Sequence, residues 1–97
     1  MTDSGIGYLE KLETVIEQRK AAAPDQSYTA KLYASGPSRI AQKVGEEAVE
    51  LALASVQGDR KRIVSEAADL LYHLLVLLRY HDLTLAEVAR ELSRRQR

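Results

Sequence analysis

Cysteine is absent from the sequence. That excludes disulfides, thiolate metal sites and thiol nucleophiles, and it suits a reducing cytoplasm. Net charge is missing too. Fourteen basic residues balance fourteen acidic ones, so overall charge points neither to nucleic acid nor to an anionic membrane. No hydrophobic run is long enough to cross a bilayer. The longest, LLYHLLVLL from Leu70 to Leu78, falls well short of the roughly 20 apolar residues that a spanning helix needs, and it reads as buried helix. The opening MTDSGIGYLE has no basic region followed by an apolar stretch, so no signal peptide is expected. Low-complexity tracts, internal repeats and strand-like alternation are also lacking. The 97 residues read as a single domain, 1–97, with a core small enough to gain from a partner subunit.

What is present is helix. Both prolines, with Gly36 and Gly58, fall between segments rich in helix formers. The first segment, about 6–22, starts at Asp3 or Ser4, carries Leu9, Leu12, Val15 and Ile16 at helical spacing, and breaks before Pro24. A short second helix, 28–34, is capped by Ser27. Ser35-Gly36-Pro37 ends it and opens a third, 37–56, with proline in the first helical position. The stretch 57–59 ends the third helix, and a fourth runs 59–81. Thr84 to Glu87 has the spacing of a capping box and opens a fifth, to about Arg94. The fold class predicted is all-α: a bundle of about five helices built on a central antiparallel hairpin of the third and fourth.

The stretch KVGEEAVE crowds Glu46, Glu47 and Glu50 into the middle of the third helix. At roughly 100° per residue, Ile40, Val44, Glu47 and Leu51 share one face. Glu47 therefore sits inside an apolar stripe, with Glu50 and Lys43 on its flank and Glu46 further round. The fourth helix repeats the anomaly. Ile63, Glu66, Leu70, His73 and Leu77 share a face, and Asp69 flanks Glu66. In a hairpin the pairs Glu47/Glu50 and Glu66/Asp69 can converge. Four partly buried carboxylates cannot all stay ionised unaided. A hard divalent cation such as Mg²⁺ relieves the crowding, takes oxygen ligands and works with phosphoanhydride substrates. By pattern alone the cluster reads equally as a metal site or as a salt-bridged network with Lys43, Arg39 and Arg62.

Glu46-Glu47-x-x-Glu50, fifteen residues, then Glu66-x-x-Asp69 resembles the EExxE…ExxD signature of the all-α nucleoside triphosphate pyrophosphohydrolase (MazG-like) superfamily. SYTAKLYASG, IAQKVGEEAVELALA and EAADLLYHLLVLL narrow the likeness, over about 27–92, to the phosphoribosyl-ATP pyrophosphatase family of histidine biosynthesis. The resemblance implies Mg²⁺-dependent hydrolysis of 1-(5-phosphoribosyl)-ATP to the AMP derivative and pyrophosphate, the second step of that pathway. It implies a helical bundle, usually a homodimer, acting on a small nucleotide in the cytoplasm, with sites near the subunit interface. Matched by position, the metal ligands are Glu47, Glu50, Glu66 and Asp69. Glu46 is a further catalytic candidate, as an extra ligand or a residue that orients water. Many relatives are fused to a cyclohydrolase domain; no such domain is recognisable here, so the single-activity form is expected.

Other residues carry two readings each. Lys43 either contacts substrate phosphate or pairs with Glu46 or Glu47. Arg39, in the first turn of the third helix, either binds phosphate or is solvated. Lys31 and Ser27-Tyr28-Thr29 either lie near the substrate or simply open a helix. His73 fits a core histidine bonded to a carboxylate or tyrosine better than a metal ligand. Tyr72 and Tyr80 read as packing residues, and the tail SRRQR as a solvated helix end. The fourth helix is apolar nearly all round, with Leu71, Leu75 and Leu78 opposite Glu66. Such a helix needs cover on several sides, which a homodimer would supply. Competing functions are a dNTP housecleaning pyrophosphohydrolase and a non-catalytic dimerisation module. A di-iron carboxylate bundle fails because neither His73 nor His81 follows a glutamate by three residues.

Overall fold

A computed structural model describes residues 5–96. The bundle is organised by one turn. Pro37–Gln57 forms a 21-residue helix, here α3, and Arg60–Tyr80 forms another of 21 residues, α4, with only Gly58 and Asp59 between them. Gly58 takes a left-handed conformation, φ +74°, that a side chain would disfavour, and its N–H closes α3 on the carbonyls of Ala54 and Ser55. Asp59 then caps α4, its side chain accepting from the N–H groups of Lys61 and Arg62. So short a connection makes the two helices antiparallel neighbours.

Tyr8–Arg19 (α1) and Tyr28–Ser35 (α2) pack on this hairpin. Ser27 caps α2 as its sequence suggested, accepting from the Ala30 N–H at 2.9 Å. Gly36, at φ +92°, both ends α2 and opens α3. The core is Ile16 of α1, Leu32 of α2, Ile40 of α3, and Leu75 and Val76 of α4, ringed by Leu12, Tyr33, Tyr72, Leu77, Tyr80 and Leu85. Each of the larger of these side chains contributes about 1.5–3 kcal/mol by leaving water. Those residues come from the start of α3 and the end of α4, so α1 and α2 cover the open end of the hairpin. The end near Gly58 projects beyond them. There Val49, Leu53, Val56 and Val64 stay exposed, Val56 at 86%.

The elements follow the sequence closely, with two differences. The first helix ends at Arg19, three residues short of 22. Ala23 must be extended (ψ 140°) ahead of Pro24, and Pro24–Gln26 then forms a turn of 3₁₀ helix that the pattern did not announce. The proposed caps Asp3 and Ser4 lie outside the described residues; Gly7 precedes α1 and makes no side-chain cap.

The last helix, Leu85–Arg95 (α5), has the expected capping box: the Thr84 hydroxyl accepts from the Glu87 N–H, and the Glu87 carboxylate accepts from the Thr84 N–H. Glu13 of α1 also accepts from the Leu85 N–H at 2.7 Å, so α1 helps cap α5. Between α4 and α5, Asp82 sits at φ +59°, where glycine is usual. The Leu83 N–H reaches the Leu78 carbonyl and the Asp82 N–H reaches that of Arg79, a Schellman closure. Arg79 fastens this corner to α1 by two N–H donors on one oxygen of Glu17, at 2.9 and 3.1 Å. In the tail, Arg94 and Arg95 pair with Glu91.

Candidate active site

Hairpin register decides which acids meet. Glu47 lies eleven residues before Gly58 and Asp69 ten after Asp59, so the two are level across the hairpin; Glu50 and Glu66 are level in the same way. Rotation about each axis does the rest. Glu47 and Glu66 stand on the apolar seams that face each other, and their side chains are only 15% and 19% exposed. Carboxylate oxygens of Glu47, Glu66 and Asp69 all lie within 4.8 Å of one another. Asp69, though more exposed, turns towards Glu66 one helical turn away.

Glu50 is not in that group. Its place on the flank of the seam leaves it half-exposed, with one oxygen 3.9 Å from the Arg62 guanidinium. Arg62 reaches Glu66 as well, at 3.7 Å, and so bridges the two helices. Lys43 sits 3.5 Å from Glu47 and 3.7 Å from Glu46. Glu46 faces solvent. A hydrogen bond from the Gln42 amide, 2.8 Å, and then the charges of Lys43 and Arg39 hold its carboxyl below the usual carboxylate range. The sequence left a metal site and an ion-pair network as alternatives; Lys43 and Arg62 do make such pairs, with the same carboxylates that converge.

Pairing does not balance the charge. Glu46, Glu47, Glu50, Glu66 and Asp69 bring five negative groups, and among the described residues the ion pairs to them come from two cations, Lys43 and Arg62. Three hard oxygen donors within 4.8 Å, with a negative surplus around them, are the donor chemistry that a divalent cation takes. The remaining predicted residues make no ion pair with the cluster among the described residues. Arg39 is exposed in the first turn of α3. Lys31 is exposed on α2, in an open groove with Pro24, Asp25, Gln26, Ser27 and Tyr28.

His73 is a core residue, as expected. The residue is 6% exposed, with Nδ1 2.8 Å from the Asp69 main-chain oxygen and Nε2 2.8 Å from the Tyr28 hydroxyl. Beside it the Thr29 hydroxyl is hydrogen-bonded to that of Tyr72. Sequence reasoning anticipated a tyrosine or carboxylate partner for His73. It could not say which, because Tyr28 is 45 positions away. Tyr72 and Tyr80 pack as expected, Tyr80 stacking on Tyr33 at 6.1 Å.

An all-α bundle with acids from two antiparallel helices gathered at one point is, by class, that of the all-α pyrophosphohydrolases which the sequence resembles. Comparison with known proteins defines the particular family. The family described as phosphoribosyl-ATP pyrophosphohydrolase matches residues 9–96, and the chain belongs to it. The chain is 59% identical over 88 residues to a protein named phosphoribosyl-ATP pyrophosphatase from Cereibacter sphaeroides, covering 91% of this chain and 85% of the relative. Its likeness to a protein of the same name from Pyrobaculum aerophilum is also 59% over 88 residues, covering 91% and 94%. To the histidine biosynthesis bifunctional protein HisIE of Photorhabdus laumondii it is 56% identical over 89 residues, but covers only 44% of that longer protein. The chain is thus an enzyme of a hydrolase family tied to histidine biosynthesis.

Proposed function

We propose that the chain hydrolyses 1-(5-phosphoribosyl)-ATP to 1-(5-phosphoribosyl)-AMP and pyrophosphate with Mg²⁺, as the second step of histidine biosynthesis in the cytoplasm. The observation that carries this reading is the convergence of Glu47, Glu66 and Asp69 within 4.8 Å, in a chain of this family. Residues 1–97 act as one pyrophosphohydrolase domain in this reading.

Glu47, Glu66 and Asp69 hold the cation, and Glu50, one turn along from Glu47, completes the set from the flank. Bound there, Mg²⁺ would offset triphosphate charge and make water a better nucleophile. Water adds to one phosphorus, the phosphoanhydride P–O bond breaks, and pyrophosphate leaves with that bond's electron pair. A carboxylate of the cluster, with Glu46 at its outer edge, orients the water and accepts its proton. Lys43, Arg39 and Lys31 contribute positive charge towards the phosphates, Lys43 from beside Glu47.

We also propose a homodimer. Val49, Leu53 and Val56 form one stripe along α3, and Val64 of α4 is exposed at the same end of the hairpin. Covered by a second copy, this apolar end of the hairpin would bring each acidic cluster close to the interface. The test of substrate is an assay of purified protein with Mg²⁺ on phosphoribosyl-ATP and on a panel of dNTPs. Release of pyrophosphate from phosphoribosyl-ATP in preference to every dNTP is the expected outcome. Preference for a dNTP would make the chain a housecleaning enzyme instead, and no turnover of any nucleotide would leave a dimerisation module.

A further inference from the structure

Two segments that are far apart in the chain, Ser27-Tyr28-Thr29 and Tyr72-His73, are two sides of one contact. The His73 Nδ1 faces the Asp69 main-chain carbonyl, which can only accept, so that nitrogen carries the hydrogen. In the neutral ring Nε2 is then a lone pair, and the Tyr28 hydroxyl, 2.8 Å away, donates to it. The ring meets Tyr28 and Tyr72 edge-on, at 87° and 89°. With the adjoining bond between Thr29 and Tyr72, two ties fasten the first turn of α2 to α4, one turn beyond Asp69.

That turn carries Lys31. Tyr28 and Lys31 are three apart and so neighbours on the helix, and both line the open groove, about 370 Å³, of a size that takes small ligands. Among the described residues Lys31 has no ion-pair partner, unlike Lys43 and Arg62. A free cation in a groove, fixed to the helix that bears the acidic cluster, is suited to an anionic group of the same ligand.

We propose that the Tyr28–His73 hydrogen bond is a positioning device for substrate: it holds the first turn of α2 so that Lys31 meets a phosphate group of the nucleotide bound at the carboxylate cluster. The inference rests on the pyrophosphohydrolase reading. Tyr28 and His73 are positioning residues that act through Lys31. Removing the tie leaves Glu47, Glu66 and Asp69 in place, so it weakens substrate binding and spares the chemical step.

The test compares wild type, Tyr28→Phe, Lys31→Ala and the double variant on phosphoribosyl-ATP with Mg²⁺. Tyr28→Phe should raise KM about fivefold and leave kcat within about twofold, and Lys31→Ala should raise KM about tenfold. The double variant should match Lys31→Ala alone, because the two changes remove one interaction. Calorimetric affinity for Mn²⁺ without substrate should be the same in all four proteins. The ¹⁵N spectrum of the wild-type imidazole should show hydrogen on Nδ1, with an Nε2 resonance that moves in Tyr28→Phe. A fall in kcat at unchanged KM, a Tyr28→Phe protein kinetically like wild type, or strictly additive effects would overturn the proposal and leave the function standing. Should Tyr28→Phe fold poorly, Lys31→Ala still decides, and a KM within about twofold of wild type defeats the idea. Wild-type protein inactive on phosphoribosyl-ATP would defeat the underlying function itself.

Discussion

Glu47 of α3 and Glu66 of α4 face each other across the hairpin, with carboxylate oxygens no more than 4.8 Å apart and most of each side chain out of solvent. Two like charges do not come together on apolar seams for the sake of stability. Lys43 offsets one and Arg62 the other, but each of these cations is shared with a second glutamate. The arrangement has a natural use in holding a cation between the helices.

Glu46 and Glu47 are adjacent in sequence but should behave differently. Glu46 is solvated, bonded to Gln42, and outside the converging group. Glu46→Gln is expected to lower kcat/KM by less than about tenfold, a barrier change of about 1.4 kcal/mol. Steady-state kinetics of the variant checks this; a loss as large as that of Glu47→Gln would put Glu46 in the chemistry, as a ligand or as the group that takes the water's proton.

Tyr33 links stability to alkaline pH. Among the described residues its buried hydroxyl has no hydrogen-bond partner, and burial first, then the Glu17 charge, pushes its pKa up to about 12. An unfolded tyrosine titrates near 10. The folded protein thus keeps a proton that the unfolded chain gives up, and stability present below pH 10 falls as the pH rises towards 12. Urea unfolding of wild type and Tyr33→Phe at pH 8 and pH 11 measures this. Tyr33→Phe should lose less stability between the two, and at pH 8 should equal or exceed wild type, because it removes an unsatisfied buried hydroxyl. Equal losses in the two proteins would contradict the assignment.

The exposed end of the hairpin predicts assembly. Wild type should run as a dimer in light scattering at micromolar concentration. Leu53→Glu, which places a charge amid Val49 and Val56, should run as a monomer while retaining helical circular dichroism. A monomeric wild type would mean that this apolar stripe is not a subunit interface.

Much of this was legible in the residues. Gly58 and Asp59 marked the hairpin turn, and the wheel put Glu47 and Glu66 on facing seams, because helical periodicity records which side is buried. The same wheel set Glu50 on a flank, and that offset is what takes it out of the converging group to Arg62. Ties between distant positions left no such record. Glu17 to Arg79 and Tyr28 to His73 join residues 62 and 45 positions apart, and no local pattern specifies them. The early end of α1 was likewise hidden, since Ala21 to Ala23 favour helix and only the geometry before Pro24 forbids it.

If the facing carboxylates do the chemistry, neutralising one of them removes turnover. Turnover of phosphoribosyl-ATP by Glu47→Gln, measured against wild type over a Mg²⁺ titration, tests it most directly. Glu47→Gln should fold with wild-type helix content, show a weakened Mg²⁺ dependence, and have a kcat/KM reduced more than about tenfold, beyond about 1.4 kcal/mol of barrier. A variant that turns over within that limit, with the same Mg²⁺ dependence as wild type, would contradict it.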